Sequence, residues 1–386
     1  MESPFAPGQR SMRWAARFGL AREGTLRVGR LAVLLAALTW LPMLVLAFIA
    51  GRAYGDDVAI PFLADFVAFG RHLVALPLLV LIHPVIDREI VRAITSLENS
   101  GLVRPADEGM LRQKLERVGQ LWRSPFVRLL LVALIVIAAV TMHRVAVSFD
   151  APDWLVGGEP GQPVFSAAGW WNLAVAGPVF RLFVLLALWK LLLWCWFLLQ
   201  LSRMPLNYQT MHADGCAGLG VLERVQFGFS GIAAALAIQF GCIIADAVTY
   251  KGHDLASFQL PAVAFIVLML LLLLAPLAVF VRPLSQACIR AELAFHAWFS
   301  RASSEVERSL GQTGSQAVAS RLESPELSSL TDASALYTGA LRTRKIPITR
   351  RSLVVVVLAS VVPMVVPLLP LLPLKQIALR LVKVVM

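Results

Sequence analysis

Apolar positions along this chain follow neither the alternation of a half-buried strand nor the three-and-four spacing of a surface helix; they persist for the width of a bilayer and then stop. The runs are Leu31 to Ala50, Ile60 to Ile86, Phe126 to Met142, Asn172 to Gln200, Phe229 to Val248, Leu260 to Val281 and Leu353 to Leu374. Each is close to the ~20 residues that carry an α-helix across a hydrocarbon core. Lipid offers the backbone no hydrogen bonds, so such a run must satisfy its own N–H and C=O groups as a helix. The predicted fold class is all-α, a polytopic transmembrane helix bundle of about seven hydrophobic spans with short cytoplasmic helical segments.

Polar intervals divide the chain into further parts. Residues 1–30 form a basic tail, in which Met12 to Arg30 mixes Arg with Trp14, Phe18 and Leu20, as a helix lying in the membrane interface would. The tail is longer than an ordinary secretory n-region, so the first span is expected to be retained. Residues 31–281 hold six spans, interrupted at 87–125 by a helical hairpin that breaks at Asn99-Ser100-Gly101. Residues 282–351 extend the sixth span, loosen at Leu310-Gly-Gln-Thr-Gly-Ser and restart at Ser324-Pro325-Glu326, where an N-cap Ser and a first-turn Pro are start signals. Residues 352–386 carry the seventh run, whose Pro363, Pro367, Pro370 and Pro373 each remove a helix donor. A kinked crossing and a re-entrant hairpin both fit this run, which ends in Lys375, Arg380 and Lys383.

Lys and Arg gather in the tail, the hairpin and the 282–351 segment, whereas Val145 to Trp171 has none and carries Asp150, Asp153 and Glu159. Because positive flanks stay cytoplasmic, the N-terminus is expected inside. With 58% hydrophobic residues and a mean hydropathy of +0.73, a soluble protein is excluded. The net charge of +11 and pI near 10.2 would point to nucleic acid in a soluble domain; here the basic residues sit beside spans, where they anchor the chain and attract anionic cytoplasmic-leaflet lipids. The expected partners are the bilayer and those lipids, with a cytoplasmic protein or a second copy left open, and no nucleic acid. Cys195, Cys216, Cys242 and Cys288 lie in spans or on the cytoplasmic side, so no disulfide framework is predicted, and no zinc-type spacing occurs. No cofactor is expected.

Candidate chemistry falls in two places. Ionisable residues inside spans are functional candidates because a charge at mid-bilayer costs at least ~2.5 kcal/mol. They are Asp65, Arg71, His72, His83, Arg181, Lys190 and Asp246, with Gln239 one heptad before Asp246. Arg71, Arg181, Lys190, Gln239 and Asp246 are the intramembrane candidates, and Arg71 or Arg181 is expected to pair with Asp246; snorkelling of Arg181 and Lys190 is the competing reading. The second place is the loop from Arg203 to Phe227, with His212, Asp214, Gly215, Cys216 and Gly218. It reads in three ways: a metal site that borrows Glu223, a phosphate cradle of glycine amides at a helix start, or a tight turn whose Asp accepts backbone amides.

The sequence His212-Ala-Asp-Gly-Cys-Ala-Gly-Leu-Gly-Val-Leu resembles the His-Pro-Asp-x-x-Gly-Gly-Leu-Gly-Phe-Leu signature of a family of uncharacterised bacterial multi-pass membrane proteins. Trp170-Trp171 and Ser324-Pro325-Glu326 match further features of that family; Ala213 stands where it usually has Pro, and Ala217 where it has the first Gly of the pair. The resemblance implies a bacterial inner-membrane address and no activity. Three functions stay open: a transport or channel-like protein with a polar intramembrane path, a sensor or scaffold that binds a cytoplasmic partner, and a membrane enzyme acting on a lipid-linked substrate through His212 and Asp214. Catalysis is the least supported, since no Ser/His/Asp or Cys/His arrangement can be assigned.

Overall fold

The computed structural model describes residues 4–5, 21–22, 25–55, 58–148, 152, 154–157, 164–311 and 343–371. Seven helical stretches in it are long and apolar enough to cross a membrane, and the chain is a multi-pass helix bundle. The spans are α1 (Val28–Ile49), α2 (Phe66–Asn99), α4 (Pro125–Ser148), α5 (Ala167–Ser202), α6 (Gly220–Tyr250), the pair α7 (Gln259–Leu274) and α8 (Val281–Gly311), and α9 (Arg350–Val365). Between α2 and α4 lies α3 (Glu108–Arg123), which buries Leu111, Leu115, Val118 and Gly119 at helical spacing. Two spans carry a π-helical stretch among the described residues. Gly70–Ala75 in α2 and Asn172–Ala176 in α5 are π-helical.

α6 is the most buried of the spans, and its composition explains why. From Gly228 to Ala245 it presents Gly, Ala, Ser and Cys at most turns, so neighbouring backbones approach closely, the usual basis of helix association in lipid. α2 runs antiparallel to it: a Cβ on Gly231 would stand 2.4 Å from Ile82, one on Gly228 3.4 Å from Ile86, and Gly70 faces Cys242. α9 runs parallel to α6, with Thr349 and Ser352 beside Glu223 and Met364 beside Gly241. Around this pillar packs one apolar core that includes Leu79, Ile86, Trp194, Phe197, Phe229, Ile232 and Phe280. One end of the bundle carries the His212 loop, the turn at Ser100-Gly101 and residues 343–349; the other carries Trp154 and Tyr250.

The seventh run does not turn back within the described residues. α9 continues past Pro363 and passes into a 3₁₀ helix, Val366–Leu371, with Pro370 inside it. Leu368 packs on Ile244 and Ala245, so this helix reaches the Tyr250 end of α6. Pro367 falls in the first turn of the 3₁₀ helix, where its missing N–H breaks no intrahelical bond. Of the stretch Met12 to Arg30, where an interfacial helix is expected, Met12 to Leu20, Glu23 and Gly24 lie outside the described residues. Ala21–Arg22 pairs antiparallel with Thr25–Leu26, and helix starts at Val28; a local strand pair satisfies those backbones without the cost of nucleating a helix in so short a stretch. Ser324-Pro325-Glu326 and residues 372–386 lie outside the described residues.

A Cβ at position 241 would lie 2.2 Å from the Met364 carbonyl oxygen, a backbone atom that cannot rotate away. Gly241→Ala is therefore expected to lower stability by about 1–3 kcal/mol, the usual cost of overpacking. Gly109→Ala, with nothing within 4 Å, is expected to be neutral or to gain up to about 1 kcal/mol. Thermal unfolding of the two purified variants checks the contrast.

Candidate functional site

The loop between α5 and α6 is organised around one carboxylate. Asp214 Oδ1 accepts the amides of Cys216 at 2.8 Å and Gly218 at 3.2 Å, and Oδ2 accepts the amide of Gly220 at 2.7 Å. His212 Nδ1 stands 3.0 Å from Oδ1. Residues 215, 217 and 218 take the left-handed backbone at φ 61°, 55° and 92°. For Ala217 this conformation costs roughly 1–2 kcal/mol, and it is the position where the resembling signature has Gly. Burial alone would raise the Asp214 carboxyl, but the amides of Cys216, Gly220 and Gly218 and the His212 ring outweigh it and hold the carboxyl below the usual carboxylate range.

A strap made by residues 343–349 closes over the loop. Arg344 donates from its backbone amide to the Gly215 carbonyl at 2.9 Å and from Nη2 to the Asp214 carbonyl at 2.9 Å, and Thr343 Oγ1 donates to the Thr210 carbonyl at 2.6 Å. Glu223 accepts the Thr349 amide at 2.9 Å and the hydroxyls of Thr349 and Ser352. The carboxylate that a metal site would borrow is thus engaged in starting α9, and among the described residues no three His, Cys, Asp or Glu side chains converge to hold a metal. The amides that a phosphate would need are spent on Asp214. Burial pushes the Cys216 thiol up to about 11, Arg344 opposing, which disfavours a thiolate nucleophile near neutral pH. Of the three readings of this loop, the geometry supports the Asp-capped turn. Beside it lies a polar cavity of about 350 Å³ between Ser96, His212, Glu223, Arg224 and Arg344.

The intramembrane candidates divide into two groups. Arg71 donates from Nε to Gln239 Oε1 at 3.3 Å and lies 5.8 Å from the Phe180 ring centre. Arg71 and Asp246 line a cavity of about 120 Å³ together with Asp65, His72, Trp154 and Asn172. Asp65 caps the start of α2, accepting the Ala68 amide and the Trp154 indole N–H, each at 2.8 Å. Tyr250 donates to the Ala64 carbonyl at 3.0 Å, which ties the end of α6 to this turn. Arg181 stands beside Arg71 in α5 with its head folded back on Gly177, where a Cβ would be 2.9 Å from Nη1. The expected pairing of Asp246 with Arg71 or Arg181 does not occur among the described residues: Gln239 neutralises no charge but takes the Arg71 donor instead.

Lys190 belongs elsewhere. It is 2% exposed, donates to Asp87 Oδ1 at 2.8 Å and sits 5.4 Å from the ring centres of both Phe5 and Trp122. Along α2, Asp87 is sixteen residues from Arg71, roughly 24 Å at helical rise, with Leu76, Leu79 and Val80 buried between. One continuous path through all five candidates is not present. Lys190 does not snorkel; aromatic rings and a carboxylate take the place of water.

Sequence reasoning passed over Asn172, Trp154, Asp87, Arg344 and Ser352 as site residues. Asn172 carried a signal, a lone amide at the head of an apolar run; Arg344 and Ser352 carried none, since their partners lie about 130 residues away. No protein-family model, curated protein or solved structure matches this chain.

Asp214→Ala is expected to cost about 1.5–3 kcal/mol, the range for hydrogen bonds to a charged group, while Ala217→Gly is expected to gain about 1 kcal/mol by removing left-handed strain. The Asp214 contribution is present above the unfolded carboxylate value of about 3.9 and fades as pH falls through the depressed folded value. Unfolding curves at neutral and acid pH, compared with Asp214→Ala, read both effects. Lys190→Met alone is expected to lower stability by breaking the pair with the quarter-exposed Asp87 carboxylate, and Lys190→Met combined with Asp87→Leu is expected to show a non-additive effect. A double-mutant cycle that returns no coupling would refute a structural ion pair.

Proposed function

We propose that this chain is a transport or channel-like protein whose binding chamber is the polar cavity at the Trp154 end. One observation carries the reading: Asp65, Arg71, His72, Asn172 and Asp246, drawn from α2, α5 and α6, face one cavity. Each would be costly in lipid unless the site used it. Both π-helical turns among the described residues supply residues to this wall, His72 from one and Asn172 from the other, and such turns recur at functional sites. A second, mainly apolar cavity of about 520 Å³ between Phe66, Phe69, Ile238 and Pro367 meets the first at Asp65.

Beneath the polar chamber the core is apolar, so passage to the loop end requires helices to move, as in transporters that alternate access around a fixed site. In this reading the loop end faces the cytoplasm of a bacterium, its Arg and Lys lie against anionic lipids, and the Asp214 turn with its strap braces the inner end. The sensor or scaffold alternative rests on the Lys190–Asp87 pair, a charge buried with a partner and not in a cavity. The enzyme reading, which rests on His212 and Asp214, is weakened because three backbone amides already engage Asp214.

Reconstituted liposomes test the proposal. Ion and solute flux in wild type should fall at least tenfold in Arg71→Ala and Asp246→Asn, a change of about 1.4 kcal/mol or more, and stay near wild type in His212→Ala. Absence of flux for every common ion and metabolite would shift the assignment to the scaffold.

A further inference from the structure

Three polar atoms on the wall of the 120 Å³ cavity, His72 Nδ1, Asn172 Oδ1 and Asp246 Oδ1, make no hydrogen bond of good geometry among the described residues, although His72 and Asn172 are neighbours. Their residues are 1%, 8% and 8% exposed, so bulk water does not serve them. Native proteins rarely leave buried polar atoms unsatisfied, and a cluster of them in one place marks a ligand or ordered water. All three can accept, with His72 accepting at Nδ1 when its proton is on Nε2. Asn172 Oδ1 and the Asp246 carboxylate can only accept, so an occupant that donates or is positive suits the site.

Charge points the same way. On the cavity wall Asp65 and Arg71 offset each other, and both oxygens of Asp65 are engaged by Ala68 and Trp154. This leaves Asp246 as the carboxylate with no cation on the cavity wall to offset it, Lys251 acting on it from beyond the end of α6. Arg181 is turned onto Gly177 and does not line the cavity, and Lys251, beyond the end of α6, is exposed. The other titratable groups around Asp246 are Cys242 and Tyr250 on its own helix; α4 presents Met142, α9 leads to Leu368, and the approach to α7 presents Phe258. Size narrows the choice further. At about 30 Å³ per water, the cavity holds about four waters or one small ion with part of its hydration shell. A zinc-like ion is not matched by the donor set, because no three His, Cys, Asp or Glu side chains converge among the described residues.

We infer that this cavity binds a single monovalent cation between Asp246, Asn172 and His72. The chemistry is shared by an alkali ion and a proton: the alkali ion takes the three acceptors as ligands, and a proton on Asp246 turns one acceptor into a donor for Asn172 or His72. That the cation accompanies transport rests on the reading above, whereas the binding itself does not.

The test is thermal unfolding of the full-length chain in nanodiscs, with NaCl, KCl or choline chloride at equal ionic strength, from about pH 5 to about pH 8. An unfolding temperature that rises saturably with Na⁺ or K⁺ in wild type and not in Asp246→Asn identifies an alkali ion. A temperature indifferent to both salts but falling as pH rises, with the slope lost in Asp246→Asn and kept in Asp214→Asn, identifies a proton. Wild-type curves that superimpose across all salts and pH values overturn the proposal, and this arm needs no variant to fold. So does a salt or pH response that survives unchanged in Asp246→Asn. A cation shift without flux would keep the site and remove the transport role; flux indifferent to cation and pH would do the reverse.

Discussion

Close approach of α6 to its neighbours is the constraint on which the rest of this bundle depends. In lipid no hydrophobic force draws one apolar helix to another, so association rests on van der Waals contact between backbones that can come near. Gly228, Gly231 and Gly241 provide that nearness, toward α2 on one side and α9 on the other. With α2 and α9 seated on one pillar, both ends of the molecule are fixed. Glu223, near the first turn of α6, receives the start of α9, and Tyr250, at its last residue, holds the turn that precedes α2.

A pillar of this kind lets polar groups be placed where lipid would not tolerate them. Arg71 and Asp246 lie against α6 and within it, away from the hydrocarbon-facing surfaces of α1 and α4, where exposed Leu, Val and Ile dominate. The π-helical turns add to this. Each widens a span by part of a turn and moves one polar side chain, His72 or Asn172, to the protein interior. Where α5 returns to α-helix, Gly177 leaves room for the Asn172 carbonyl and the Arg181 head; a Cβ would be 2.8 Å from the first.

The two ends use their charges differently. At the loop end charge is consumed locally: Asp214 on three amides, Glu223 on the start of α9, Lys190 on Asp87 and two aromatic rings. At the Trp154 end Asp65 is consumed in the same way, but His72, Asn172 and Asp246 keep open valences. The proposed function rests on the smaller cavity because polar residues of three helices face it together, whereas Asp214 and Glu223 at the loop are already engaged.

The bilayer-length apolar runs were legible from composition alone, because a helix that must satisfy its backbone in lipid needs nothing from the rest of the chain. The Asp214 turn was nearly legible too, since Asp-Gly and closely spaced glycines act within a few residues. The sequence by itself therefore determined the class, the spans and the local turn. Which charges share a cavity was decided only in three dimensions: Arg71 found Gln239 rather than Asp246, Lys190 found Asp87, and Arg344 crossed from a distant segment to clamp Asp214. The physical reason is that a buried charge is stabilised by whichever polar group the packing brings within about 3 Å, and hydropathy carries no information on helix rotation or neighbours.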